Sequence, residues 1–297
     1  MGSGTWSTAN FASYTVDTKG MTLDSYTTST SLNTQDIYKA CRISALLDPK
    51  NVMRECCDSE EHPNTLPVIL ALDVTGSMGD SAVRVAQKLN EIITDIYADG
   101  SIKDVQFCVM GIGDLSCDDA PIQISQFESD IRIAEQMDAI YFEGGGGGNT
   151  YESYTAAWYM GTRHCKLDCW DRGAKGIIIT LGDELPNPYL PKSSWSGGLA
   201  IVTGDNLQGN VETKDLLDEV REKYNVYHLS VKDRNSSYDV HQRRYNLDQA
   251  WKELLGEDNY SVVTLDNLSS TIVDIIRKNA NNTPVVNTVT TTTEVTW

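Results

Sequence analysis

The chain of 297 residues carries 24 lysines and arginines against 42 aspartates and glutamates, a net charge of −18, with hydrophobic residues at 40%. That length and composition suit a soluble protein with a full core. The charge excludes a phosphate-tracking nucleic-acid binder, which needs a basic face, and is compatible with a cation-binding protein.

The opening "MGSGTWSTANFASYTVDTKG" has no basic segment leading into an apolar core, so it does not read as a signal peptide. No apolar run approaches the roughly 18 residues of a membrane span, and no membrane association is expected. The seven cysteines are odd in number and read as reduced thiols rather than a disulfide framework, which makes the cytoplasm the expected compartment.

Residues 1–64 are Ser/Thr-rich and read as an extension that packs on a domain, with one helix expected over Thr34–Leu47, "TQDIYKACRISALL". From residue 65 the rhythm changes. "LPVILAL" is a continuous apolar run, the mark of a strand covered on both faces. "DSAVRVAQKLNEIITDIY" repeats apolar residues at steps of three and four, an amphipathic helix. "VQFCVMGI" and a shorter, alternating "IQISQF" read as strands, and "DIRIAEQMDAI" as a helix. "YFEGGGGGNT" is a glycine loop entering a helix, "YESYTAAWYMGTRH". "KGIIITLGDE" and "GLAIVTG" read as strands, "TKDLLDEVREKY" as a helix, "NVYHLSV" and "NYSVVTL" as the last strands and "LSSTIVDIIRKN" as the closing helix. Strands alternating with helices predict an α/β fold: a doubly wound, mostly parallel sheet with helices on both faces over 65–280. The Thr/Val-rich tail, 281–297, reads as a linker or a strand that pairs with another chain.

In such a sheet ligands bind at the carboxyl ends of the strands. Three distant segments bring oxygen ligands there: Asp73, Thr75 and Ser77 in "ALDVTGSMGD"; Asn149, Thr150 and Glu152 in "GGGGGNTYES"; Asp183 and Glu184 in "TLGDE". Asp, Thr and Ser before a helix also serve as caps, but three such loops together favour a metal. Carboxylates and hydroxyls are hard ligands suited to Mg²⁺ or Mn²⁺; zinc would want the His or Cys that these loops lack. The five glycines Gly144–Gly148 precede no Lys-Ser/Thr, which argues against a nucleotide loop. Asp114, Cys117, Asp118 and Asp119 read as a solvated acidic loop, and "HQRRYN" as a polar surface segment.

"ALDVTGSMGD" resembles the start of a von Willebrand factor type A domain, whose metal-ion-dependent adhesion site follows Asp-x-Ser-x-Ser; Thr75 departs from the pattern but keeps the hydroxyl. The form "DVTGSM" is similar to that of bacterial and alpha-kinase-associated members. "GGGGGNTYES" stands in the place of the second loop, where many members give a Thr, the role of Thr150, and the integrin β branch a Glu, the role of Glu152; Glu152 is favoured for its spacing from Asn149. "TLGDE" resembles the third loop, commonly Thr-Asp-Gly, with Asp183 aligned after a one-residue shift. The resemblance implies a non-catalytic site in which Asp73, Thr75, Ser77, Thr150 or Glu152, and Asp183 hold Mg²⁺ or Mn²⁺ and a partner's Asp or Glu completes the shell. It also implies an adaptor of an AAA+ ATPase or of a multi-protein assembly. Two rival expectations stand beside it: a structural subunit of a bacterial or phage assembly that forms oligomers through its termini, and, more remotely, a metal-dependent phosphoester hydrolase.

Overall fold

The computed structural model describes residues 4–98, 102, 104–144 and 149–280. Its centre is a sheet of six strands: β1 (Leu66–Asp73), β2 (Val105–Ile112), β3 (Ile122–Ile124), β4 (Gly176–Gly182), β5 (Tyr224–Val231) and β6 (Tyr260–Val263). The order is β6-β5-β4-β1-β2-β3, and every pairing is parallel except the antiparallel β2–β3 edge. The chain builds outward from β1 to β3, then returns to the other side of β1 with β4. Asp73 pairs with Ile112 of β2, and Leu72 with Leu181 of β4, so the exit of β1 opens into the crevice where strand order reverses. That is where such sheets hold ligands.

Side-chain alternation along β1 divides the core in two. Leu66, Val68, Leu70 and Leu72 pack with Leu89, Ile92 and Ile96 of the Ser81–Ala98 helix and with Ile272 and Ile276 of the Leu268–Ala280 helix. Ile69 and Ala71 point the other way, toward Trp158, Leu216, Val220 and Trp251 on the helices Ala156–Arg163, Thr213–Lys223 and Leu247–Leu255. Both faces are thus covered, which is why the parallel strands read as unbroken apolar runs. Among the described residues no helix is long and apolar enough to cross a membrane, and all seven cysteines are free thiols.

Three expectations change. The helix expected over Thr34–Leu47 stops at Ile37. A capping box between Asn33 and Asp36 starts it, but Ile37 and Tyr38 then turn inward into the core, Tyr38 stacking on Phe142 at 5.6 Å. "GLAIVTG" is a short helix, Leu199–Thr203, bracketed by Gly198 at φ 74° and Gly204 at φ 84°. Those left-handed ends suit glycine and interrupt an extended strand, and Ile201 is exposed. The helix expected over "YESYTAAWYMGTRH" begins only at Ala156 and ends at Arg163, with Tyr151–Glu152 forming a short strand, and beyond it Cys165–Leu167 is a short strand parallel to Arg54–Cys56.

The first 38 residues contain helices that the Ser/Thr-rich composition hides. Ser7 caps Thr8–Lys19, whose Phe11 and Thr15 are buried, and Trp6, Phe11 and Tyr26 join the core under the Ser81–Ala98 helix. The helices Tyr238–Tyr245 and Leu247–Leu255, also unforeseen, lie between β5 and β6. Gly145–Gly148 and the tail 281–297 lie outside the described residues.

Candidate metal centre

β1 ends in Asp73, fully buried, and the chain turns through Thr75–Gly79 before the Ser81–Ala98 helix. Gly79 permits the turn: its φ is 47°, and a Cβ there would stand 3.0 Å from the Asn235 carbonyl. Within the turn Thr75 donates to Asp73 Oδ1 twice, from its amide at 2.9 Å and its hydroxyl at 2.6 Å. The Thr75 and Ser77 hydroxyls are 3.0 Å apart, and Ser77 donates to Asp183 Oδ1 at 2.8 Å. Residues 106 apart in sequence, Ser77 and Asp183, are therefore joined directly, and with the Thr75 hydroxyl proton given to Asp73 and that of Ser77 to Asp183, the two hydroxyl oxygens face each other with lone pairs only. The other Asp183 oxygen accepts the Ser237 amide.

The second loop is tied to the third by a two-residue parallel ladder, Tyr151 opposite Leu185 and Glu152 opposite Pro186. Glu152 is 3% exposed, and its Oε2 has no hydrogen-bond partner among the described residues. Thr150 is half-buried and meets the third loop through its carbonyl, which accepts the Leu185 amide at 3.4 Å. Asn149 turns away, donating to Asp114 Oδ2. Asp114 and Asp118 are buried rather than solvated, with Asp118 Oδ2 accepting the Asp114 amide at 2.7 Å.

This edge is electrostatically unbalanced. Burial and the charge of Asp183 raise the Asp73 carboxyl to about 7, against the pull of its bonds from Thr75 and Tyr154. Burial, with Asp73 and Asp183, raises Glu184 to about 8. Glu152 lies well above the usual carboxylate range, pushed by burial and then by Asp73 and Glu184. Burial raises Asp183 too. Among the described residues no lysine or arginine pairs with any of these four; a histidine nitrogen, His241 Nε2, lies 3.8 Å from Glu184 Oε1. No three His, Cys, Asp or Glu side chains among the described residues converge into a cage. The donor set is of a different kind, two carboxylates with two hydroxyls, and one of these, Ser77, is only half-buried. Buried anionic oxygens without an internal cation, beside hydroxyls at hydrogen-bonding distance, fit a small hard divalent ion.

Sequence reasoning missed three contributors. Tyr154, taken as a helix position, precedes the helix and donates its hydroxyl to Asp73 Oδ2 at 2.6 Å. The one legible trace of it was Gly182, where the sequence departs from Thr-Asp-Gly: a Cβ there would collide with the Tyr154 hydroxyl. Ser237 and His241 arrive from the segment after β5, and His241 Nδ1 lies 2.9 Å from the Asp183 carbonyl. "HQRRYN" is therefore not wholly a polar surface segment, and a histidine does reach the third loop.

The solved structures agree with this architecture. The pilus adhesin SpaC from Lactobacillus rhamnosus GG, in its open conformation, is 13% identical with a TM-score of 0.50 over 79% of this chain and 31% of SpaC. The von Willebrand factor domain of the type V pili tip protein Mfa5 from Porphyromonas gingivalis is 10% identical with a TM-score of 0.48, covering 75% of this chain and 98% of that one. The fold, a six-stranded, mostly parallel sheet between helices, is one that this chain shares with SpaC. The chain spans about a third of the length of SpaC. No family model matches the chain, and no curated protein matches it.

Proposed function

We propose that this chain is a non-catalytic protein-interaction module that engages its partner through a bound divalent cation. Asp73, Thr75, Ser77 and Asp183 hold Mg²⁺ or Mn²⁺, with Glu152 supplying further negative charge, and the partner presents an Asp or Glu side chain. When bound, the ion supplies an incompletely neutralised positive charge that attracts the partner's carboxylate. The carrying observation is the convergence of the buried carboxylates Asp73 and Asp183 with the hydroxyls of Thr75 and Ser77, with no lysine or arginine among the described residues beside them. The free cysteines fit a reducing compartment.

Two features favour binding over turnover. His241 faces the Asp183 carbonyl through Nδ1 and Glu184 through Nε2, rather than the hydroxyls of the first loop. In sequence the glycine run is followed by Asn149 and then by the short strand Tyr151–Glu152, with no lysine in this stretch.

A place in a surface assembly is a second reading, favoured by the description of SpaC as a pilus adhesin. It shares the same site and differs in the partner.

The test is partner retention by the wild-type chain and Asp73→Ala, each in Mg²⁺ and in EDTA. The proposal expects retention only by wild type in Mg²⁺. Equal retention in all four conditions refutes it.

A further inference from the structure

We propose that Tyr154 is the positioning residue of the metal centre, its hydroxyl locking Asp73 to the third loop and thereby setting the affinity for a divalent cation. The inference rests on the metal-centre reading above and extends it to a side chain outside the ligand set.

A phenol hydroxyl can donate and accept at once. Here it does both, and all on the site. The hydroxyl donates to Asp73 Oδ2 at 2.6 Å and accepts the amides of Asp183 and Glu184, each at 3.2 Å. The first loop's carboxylate and the third loop's backbone are thereby held by one atom from the second loop. The neighbouring residues on that segment act in the same direction: Ser153 Oγ accepts the Leu115 amide at 3.0 Å, and Glu152 lies in the ladder with the third loop.

The ring has little freedom to move. It is fully buried and packs edge-on against His228 at 5.1 Å and Trp251 at 5.6 Å. Those two rings stack on each other at 3.6 Å, and Trp251 Nε1 donates to the Glu184 carbonyl at 3.0 Å. The approach depends on Gly182, since any Cβ there would occupy the hydroxyl's place. The aromatic group and the absent side chain opposite it are two halves of one arrangement.

Removing the hydroxyl alone leaves a buried carboxylate oxygen without its donor and two amides without their acceptor, while the ring keeps its seat. Asp73 is then free to turn from the orientation shared with Thr75. Partners that orient metal ligands in this way change affinity by roughly 10–100-fold when removed. A tyrosine that merely fills the core would change stability and leave the affinity alone.

The experiment is calorimetric titration of Mn²⁺ into the full chain as wild type, Tyr154→Phe and Ile276→Ala, with a thermal melt of each. Ile276 is a buried residue on the Leu268–Ala280 helix, so its truncation lowers stability without touching the site. The expected result is saturable binding by wild type, unchanged affinity in Ile276→Ala, and a loss of roughly 10–100-fold in Tyr154→Phe. Wild-type binding with Tyr154→Phe within about twofold overturns the role of Tyr154 and spares the metal centre. No saturable binding by wild type overturns both. The wild-type chain gives a second readout that needs no variant: the Tyr154 hydroxyl proton resonance is expected to shift when Mg²⁺ binds. A resonance unmoved at saturation counts against the proposal.

Discussion

At the edge where β1, β2 and β4 begin, Asp58 accepts the amide and hydroxyl of Thr65 at 3.0 and 2.8 Å and pairs with Arg172, whose other nitrogen donates to the Thr65 carbonyl at 2.9 Å. Asp104, on the same edge, faces His62 at 3.2 Å. At the edge where those strands end, Asp73, Asp183, Glu152 and Glu184 are more deeply buried, yet no lysine or arginine among the described residues reaches them. Both edges belong to one sheet, and the chain has cationic side chains to place. Where carboxylates tie the fold together, the sequence supplies the counter-charge from within. Where the counter-charge is left out, an ion from solution is the natural complement, because buried anions are costly unless paired.

The contrast can be broken most severely at the amino-terminal edge. Arg172→Ala strips the counter-charge from Asp58 and is expected to cost about 2 kcal/mol of folding stability in urea melts, discounted because the Asp58 side chain is 27% exposed. Its affinity for Mg²⁺ should not change. A loss of metal affinity instead would mean that the two edges are not independent. At the other edge, Glu152→Gln should weaken Mg²⁺ binding roughly tenfold, whereas Thr150→Ala should alter it by less than about twofold. Calorimetric titration decides between them, and the opposite ranking would transfer the second-loop role to Thr150.

The fold was largely legible because its strands are buried on both faces. The runs at Leu66–Leu72, Val105–Ile112 and Ile177–Leu181 have no other reading, and the Ser81–Ala98 helix carries a clear apolar stripe. "GLAIVTG" was as apolar as a strand, and what decided its form was the pair of left-handed glycines at its ends, a backbone property that hydrophobic pattern does not register. The N-terminal helices were hidden because their stability comes from a few buried aromatics, Trp6, Phe11 and Tyr26, set among serines and threonines. At the site, "DVTGSM" and "TLGDE" were singled out by residue type alone, and the structure brings Ser77 and Asp183 together. Tyr154, Ser237 and His241 were not singled out, since each acts through a contact with a residue far away in sequence. Such contacts are set by topology, and no local spacing encodes them.

The central claim is that the carboxyl edge lacks a cation that solution must provide, and the most direct measurement is thermal stability against pH, with and without Mg²⁺. Asp73 at about 7 and Glu184 at about 8 lie above their values in an unfolded chain. Between those limits the native state holds more protons than the unfolded state, so their stabilising contribution is full at acid pH and is lost as pH rises through 7 to 8. The metal-free chain should therefore melt lower at about pH 8.5 than at about pH 5.5. Saturating Mg²⁺ should raise the melting temperature most at the alkaline end, and Asp73→Asn should abolish most of that rise. A chain whose stability does not fall with pH over this range, and which ignores Mg²⁺ throughout, would contradict the account.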